Sequence, residues 1–240
     1  MSIPLSVPAV TCRGRLFGWL FATLVGAAHA AADEDFHTWG AIVATGPLGA
    51  ALPDARFWLE GQGRFVDDSS RFNQGIVRAA FGHALGPRTV LWAGYAYIPT
   101  HPAGRGNDNV EHRPWQQLTW RAAAPVAGLT LSTRTRLEQR FVEGGSDTGW
   151  RFRQLIKLTR PLVSDERFYL AVLDEVMVNL NSTDWGAGDG FDQNRIFAGL
   201  GIQLTPGWVT EVGYMNQYIS RARRADASNH ALSLTLFLNF

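Results

Sequence analysis

Apolar and polar residues alternate along most of the chain after residue 32, and turn-rich pieces interrupt the alternation. Strict alternation is typical of strands with one apolar and one polar face. The alternating segments are roughly 9–14 residues long, which is about what a tilted strand needs to cross a membrane. We find no convincing helical period there. The pattern predicts ten strands, at about 54–65, 72–82, 89–98, 110–121, 129–141, 150–160, 167–178, 191–204, 207–219 and 229–240.

The strand expected between Leu129 and Phe141 shows where its polar face must point. Leucines and threonines occupy one face, and the other carries Arg134, Arg136, Glu138 and Arg140. An arginine facing lipid at the bilayer midplane costs about 2–4 kcal/mol. These charged side chains must therefore face a lumen or water.

The last expected strand alternates with the same regularity and ends the chain at Phe240. A terminal strand of this kind resembles the signal that the outer-membrane assembly machinery reads, so we expect that machinery and outer-membrane lipid as partners. The alternative is an ordinary sandwich strand that happens to end the chain. The other strands and the leader agree with a membrane barrel rather than with a sandwich.

The fold class predicted is all-β: an antiparallel transmembrane β-barrel of ten to twelve strands, with a soluble lipocalin-like or porin-like β fold as the alternative. Short connections alternate with longer polar ones, as in outer-membrane barrels. The segment 36–44 also has a strand pattern and would break the even strand count. It could pair with a twelfth strand, lie in the lumen or lie at the rim. We therefore divide the chain into 1–32, 33–53 and the barrel domain 54–240.

Residues 1–32 are predicted to be a cleaved signal peptide, with a buried N-terminal helix as the alternative. Arg13 and Arg15 form a basic region, Leu16 to Val25 an apolar stretch, and Ala28-His29-Ala30 a small-x-small cleavage site. The single cysteine of the chain precedes the apolar stretch and would leave with it. The expected location is the bacterial outer membrane.

The composition agrees with a barrel and argues against nucleic-acid binding. Charged residues make up 18% of the chain and hydrophobic residues 46%, whereas soluble domains have about 25% charged residues. The formal net charge is +1, and loss of the leader arginines would leave 20 basic against 21 acidic residues. Lys157 is the only lysine, so nearly all the cations are guanidinium groups.

Alternation places eleven basic and five acidic residues on the inward faces. They are Glu60, Arg64, Arg78, Glu111, Arg113, Arg121, Arg134, Arg136, Glu138, Arg140, Arg151, Arg153, Lys157, Glu175, Arg195 and Glu211. One interpretation is a narrow water-filled path or binding site that prefers small anions, since arginines can select anions in pores. The other is a closed barrel with a structural or envelope-maintenance role, filled by Arg–Glu pairs. The expected strand count does not separate them.

Catalysis receives little support from the sequence. A lipid-modifying enzyme would need a serine beside a histidine near the lipid face. His112 and His230 point outward with no outward serine that the pattern identifies, while Ser132 and Ser233 face inward. No cluster has metal-ligand spacing, and the acidic loop 184–192 lacks the glutamate of a calcium loop. We expect no enzyme, no cofactor and no metal.

Several short motifs occur in a characteristic order: EHRPWQQ at 111–117, RLEQRF at 136–141, EVMVN at 175–179, FDQNR at 191–195 and GYMNQ at 213–217. In this order they resemble the bacterial family catalogued as domain of unknown function 2490, over about residues 35–240. The resemblance implies exported outer-membrane barrels and brings no activity. Pro114 stands where the motif favours a larger residue.

The motif residues fall almost entirely on inward faces, which predicts a belt of polar side chains across neighbouring strands. We expect Glu138 and Glu175 to pair with arginines, and Arg134, Arg151 and Arg153 to be the surplus cations that contact an anion. Neutral members of the belt are Gln117, Asn179, Gln193 and Gln217. The charged members are Glu111, Arg113, Arg134, Arg136, Glu138, Arg140, Arg151, Arg153, Glu175, Arg195 and Glu211.

Overall fold

The computed structural model describes residues 32–240 except 103–107, 124, 126–127, 163–164 and 222–224. The expected signal peptide lies outside this part of the chain up to residue 31, and it stays a prediction. No helix in the described part is long and apolar enough to cross a membrane. The strands are β1 (Asp33–Pro47), β2 (Ala55–Val66), β3 (Arg71–Gly86), β4 (Thr89–Thr100), β5 (Asn109–Arg121), β6 (Thr130–Val142), β7 (Gly149–Leu162), β8 (Asp165–Asn179), β9 (Gly190–Thr205), β10 (Trp208–Ile219) and β11 (Ala227–Asn239).

The eleven strands form one closed barrel, which confirms the all-β barrel. Each strand pairs antiparallel with the next along the chain, but β1 and β11 close the ring in parallel, from Asp33↔Ala227 to Thr45↔Asn239. At this one seam the pairing departs from the antiparallel arrangement that the sequence predicts. When strands alternate in direction and their number is odd, the first and the last run the same way. Closure between them must then be parallel.

The segment 36–44 forms the middle of β1, so it lies in the barrel wall and not in the lumen or at the rim. The barrel consequently starts at Asp33 and not at residue 54. All ten strands expected from the alternation are present, with ends that differ from the expected ones by a few residues. Period-2 alternation locates strands well because it arises directly from the geometry of the extended chain.

The strand directions define two ends of the barrel. The C-terminal end carries Phe240 and the connections 48–54, 87–88 and 206–207. The opposite end, here called the loop end, carries the start of β1 and the connections 67–70, 143–148 and 180–189. Phe240 lies beside the seam, because its backbone N–H donates to the carbonyl of Thr45 at 2.9 Å.

The distribution of burial is the reverse of that in a soluble protein. Large apolar side chains such as Ile42, Val77, Phe81 and Leu234 are exposed on the outer face of the wall. Buried side chains include many arginines and glutamates, and Glu138 is 0% exposed. Water-soluble domains rarely bury unpaired charges or expose so many large apolar groups. The wall is thus apolar outside and largely polar inside.

One side of the lumen, along β3 to β5, is an exception, because apolar side chains occupy it. Ile76, Ala80, Trp92, Ala96, Ile98 and Trp115 form a buried cluster, and Trp58 packs against it. The ring centroids of Trp58 and Trp92 are 5.4 Å apart at a steep angle. Gly94 makes room for this packing, since a Cβ there would lie 2.5 Å from the ring of Trp115.

Pro114 interrupts the pairing of β5 with β6. The register runs from His112↔Phe141 to Trp115↔Glu138, and neither Arg113 nor Pro114 has a partner between them. Proline has no N–H to donate to a strand ladder. The disturbance expected from this residue is therefore local.

Candidate functional site in the lumen

The lumen along β5 to β9 contains a continuous series of ion pairs that begins at Glu111, on β5. The carboxylate of Glu111 accepts from Arg113 Nε at 3.0 Å and from Arg140 Nε at 2.6 Å. The alternation of side chains along β5 and β6 explains these contacts, because all three residues point inward near the loop end. Arg113 also reaches Glu138 with its Nη1, at 3.1 Å, and so links β5 to β6.

Glu138 is the centre of the series. Besides Arg113, it pairs with Arg153 Nη1 at 2.7 Å and with Arg136 Nη1 at 3.4 Å. A carboxylate that is fully removed from solvent is stable as a charge only when such donors surround it. The structure thus places Glu138 among arginines, where the sequence pattern expected it.

Glu175, on β8, continues the series toward β9. Arg153 Nη2 lies 2.7 Å and 2.9 Å from its two oxygens, so Arg153 bridges Glu138 and Glu175. Arg134 Nη2 donates to Glu175 at 2.9 Å, and Arg195 is more distant at 3.8 Å. The series therefore joins inward side chains of five neighbouring strands.

Two smaller groups lie at either end of this series. Lys157 pairs with Glu211 at 2.5 Å, and the hydroxyl of Tyr169 donates to the same carboxylate at 2.7 Å. Toward the loop end, Arg151 donates to Asn179 at 3.0 Å and pairs with Asp192 at 3.0 Å. All these charges thus have partners within the lumen.

Arg136 has a different environment from the other arginines of β6. Its Nε donates to Gln117 at 2.8 Å, and its guanidinium carbon lies 4.3 Å from the ring centroid of Trp115. The arginine thereby joins the ion-paired side of the lumen to the aromatic side.

On β2, amides and not carboxylates hold the inward arginine, Arg64. Arg64 donates to Gln74 at 3.0 Å and to Gln62 at 3.1 Å. Its guanidinium carbon lies 4.1 Å from the ring centroid of Trp39. No carboxylate of the described residues forms an ion pair with Arg64, in contrast to Arg78, which pairs with Glu60.

Arg195 also contacts Trp39, with its guanidinium carbon 5.1 Å from the ring centroid. Its Nη2 donates to Gln193 at 3.1 Å, and Gln217 donates to the same Gln193 oxygen at 2.8 Å. Neutral amides orient this arginine as well. Amides fix the direction of a guanidinium group without cancelling its charge.

Two cavities occupy the lumen on either side of these residues. The one toward the loop end has a volume of about 430 Å³, and the one toward the C-terminal end about 380 Å³. Five side chains line both cavities, and we call them the partition: Trp39, Arg64, Arg78, Arg153 and Arg195.

Both cavities have a cationic excess. Nine arginines and five carboxylates occur among the described lining residues of the loop-end cavity. The corresponding numbers for the C-terminal-end cavity are eight cations and three carboxylates. A continuous excess of one sign in a low-dielectric channel attracts ions of the other sign.

Several donors in and near the partition are buried and make no hydrogen bond. They are Nε of Arg64, Arg78 and Arg195 and the indole Nε1 of Trp39. Nη2 of Arg136 is also buried and makes no hydrogen bond. Buried donors without partners are rare in native proteins and call for an explanation.

The contacts correct one expectation about the cations. Arg134, Arg151 and Arg153 were expected to be surplus, but each pairs with a carboxylate. Parity shows which side chains point inward, but not which of them meet across the lumen. Of the four arginines of the partition, Arg64, on β2, is the one that pairs with no carboxylate of the described residues.

Sequence reasoning missed Trp39 and Asp192. Trp39 belongs to the segment 36–44, for which the sequence pattern allows several positions. Asp192 contacts Arg151 because of a register shift between Met177 and Val178. A β-bulge of this kind changes the side to which a side chain points, and the motif around Asp192 carries no signal for it.

The outer face offers no assembled catalytic group among the described residues. His112 contacts the Tyr95 hydroxyl, and His230 contacts the Tyr214 hydroxyl at 2.5 Å. Ser228 lies on the outer face near His230, but its hydroxyl bonds Asn216 at 3.0 Å. No group of three or more described His, Cys, Asp or Glu residues could hold a metal ion.

Comparison with known proteins agrees with the fold. A family model described as a protein of unknown function, DUF2490, matches residues 36–229. An uncharacterized protein of Methylorubrum extorquens is 35% identical over 194 residues, which cover 80% of this chain and 84% of that protein. A solved structure of the NanC porin matches with a TM-score of 0.50 and 11% identity, over 85% of this chain and 99% of that one. At this identity the porin likeness concerns the fold alone.

Proposed function

Since the chain belongs to the DUF2490 family, whose name records no activity, we propose its function from the lumen: a narrow, passive outer-membrane pore for small anions. The observation that carries the proposal is the partition, where four arginines and a tryptophan separate two cation-rich cavities. The fold is porin-like. The apolar outer face supports a place in a membrane, and the expected leader supports the outer membrane.

The partition has the properties of a constriction that prefers anions. Arginines can select anions at the narrow part of a pore. Carboxylates pair with Arg78 and Arg153, whereas no carboxylate of the described residues pairs with Arg64. An anion would pass from one cavity to the other beside Arg64 and Arg195.

Single-channel recording in a planar bilayer tests this function. We expect small, steady steps from the purified protein, and a reversal potential at asymmetric KCl that indicates anion preference. Arg195→Gln should reduce the anion preference, because it removes one charge at the constriction. Arg160→Gln is the matched control, since Arg160 is an exposed arginine that lines neither cavity.

A correctly folded barrel without steps, or with cation preference, would contradict the proposal. Heat-modifiable migration on a gel would establish the fold in each preparation. Fractionation of bacterial membranes tests the location independently, and recovery in the inner membrane or the soluble fraction would contradict it.

A second function is favoured by the ion pairs around Glu138. A series of buried pairs across five strands would also suit a closed barrel that supports the envelope. In that case the protein would fold and insert but carry no current. The same recording therefore separates the two functions.

A further inference from the structure

We propose that Arg64, Trp39 and Arg195 form a binding site for the carboxylate group of a small organic acid. This inference rests on the proposed function and names the class of solute that the constriction would hold. It is carried by a combination found at these three residues: an uncompensated cation, donors without partners and access from two cavities.

The charge of the site comes from Arg64. Its two hydrogen-bond partners, Gln62 and Gln74, are neutral amides. Arg195 is partly compensated, because Glu175 lies 3.8 Å from its Nη1. At least one positive charge is therefore left without a counterpart at these residues, which favours an anion.

The donors of the site are all N–H groups. Nε of Arg64, Nε of Arg195 and Nε1 of Trp39 are buried and make no hydrogen bond, and Trp39 is only 8% exposed. Acceptors and not donors would satisfy these groups. A carboxylate has two oxygens and no donor when ionised.

The geometry favours a planar anion. A guanidinium group presents its donors in a rigid planar fork that matches a carboxylate. Both guanidinium groups are held against the same indole ring, at 4.1 Å and 5.1 Å from its centroid. Their positions are therefore set before any ligand arrives, which reduces the entropy cost of binding.

The adjoining cavities limit the size of the ligand. Volumes of about 430 Å³ and 380 Å³ are at the lower end of the range for small-molecule sites. The carboxylate would lie at the partition, and the rest of the acid would extend into either cavity.

Isothermal titration calorimetry of the protein, expressed from its full chain and purified in detergent, tests the site. Sodium benzoate and sodium acetate are the probes, and sodium chloride and sodium phosphate are titrated at matched ionic strength. We expect saturable binding of both carboxylates. Arg64→Gln should weaken it about tenfold or more, because a charge-assisted pair is lost. Arg160→Gln should leave it within about twofold.

Two results would overturn the site: no saturable binding of either carboxylate, or equal binding by the wild type and Arg64→Gln. Saturable binding of phosphate alone would overturn the carboxylate class. A second variant guards against misfolding, since Trp39→Phe keeps an aromatic ring and removes the indole N–H. It should weaken binding while heat-modifiable migration is retained.

Conductance of the same preparations distinguishes this site from the pore. Binding that is lost in Arg64→Gln, in a barrel without current, would support the site and contradict the pore. Anion-selective current without saturable carboxylate binding would contradict the site and support the pore.

Discussion

The two sides of the lumen are filled by opposite means. Along β3 to β5, Trp92, Trp115 and small residues pack as in the core of a soluble protein. Along β5 to β9, arginines and glutamates fill the space as ion pairs. Aromatic packing requires complementary shape, whereas ion pairing requires that every charge has a partner.

The candidate site lies where neither requirement is met in full. Arg64 belongs to β2, away from the glutamates of β5, β6 and β8, and amides surround it. Trp39 lies beside it but does not belong to the aromatic cluster. The ion-paired and aromatic side chains thus maintain the barrel, whereas Arg64 and Trp39 are available to a solute.

The largest expected effect concerns the ion-paired side. Glu138→Gln removes the charge that three arginines share, and the loss of one partner from a buried ion pair costs about 3–5 kcal/mol. We expect a decrease of this size in the free energy of unfolding, measured by urea titration in detergent. Glu34→Gln, an exposed acid at the start of β1, is the control, with an expected change within about 0.5 kcal/mol. Equal stability of the two variants would mean that the pairs do not maintain the barrel.

A smaller effect is expected on the aromatic side. In Gly94→Ala the new Cβ would lie 2.5 Å from the Trp115 ring and 2.6 Å from the Ala80 Cβ. Overpacking of this kind costs about 1–3 kcal/mol. At Gly61 a Cβ would meet nothing within 4 Å, so Gly61→Ala should change the free energy of unfolding by less than about 0.5 kcal/mol. If the two alanine variants unfold alike, the aromatic side is not tightly packed.

The smallest effect concerns the loop end, where hydrogen bonds link the connection 143–148 to the connection 180–189. Asp184 accepts from the Ser146 hydroxyl at 2.6 Å and from the backbone N–H groups of Ser146 and Asp147. These hydrogen bonds, chiefly that of the Ser146 hydroxyl, lower the pKa of Asp184 below its usual 3.8. A lowered pKa in the folded state means that the contact is complete above 3.8 and is lost as the pH falls through the lower folded value.

Hydrogen exchange at the amides of Ser146 and Asp147, corrected for intrinsic rates, would measure this loss. Protection should decrease as the pH falls below about 4, and Asp184→Asn should remove that dependence. Protection that stays constant in the wild type over this range would show that Asp184 does not hold the two loops together.

The sequence predicted the strands and the inward faces because both follow from one short-range rule. Each strand alternates sides, so Arg136 and Glu138 must share a face once the strand is recognised. The rule holds at nearly every inward charge. It fails at Asp192, where a β-bulge shifts the alternation of inward and outward side chains by one residue.

What the sequence could not predict depends on the register between strands and on the closure of the ring. Arg153 lies between Glu138 and Glu175 because the registers of β7 with β6 and with β8 place them as diagonal neighbours, and alternation carries no information about register. The position of β1 could not be predicted either. Whether the barrel has an even or an odd number of strands is decided only when the complete ring closes. For this reason Trp39 and the lack of a carboxylate partner at Arg64 became visible only in the structure.

The parallel seam between β1 and β11 has a consequence for the order of folding. Each antiparallel hairpin joins residues that are close along the chain, whereas the seam joins Asp33 to Ala227 and Thr45 to Asn239. Contacts between residues so far apart along the chain carry the greatest loss of chain entropy, and they form slowly. Parallel pairing is also slightly weaker per residue than antiparallel pairing. We therefore expect the sheet to assemble as an open ribbon of hairpins, and the ring to close at this seam as the final step.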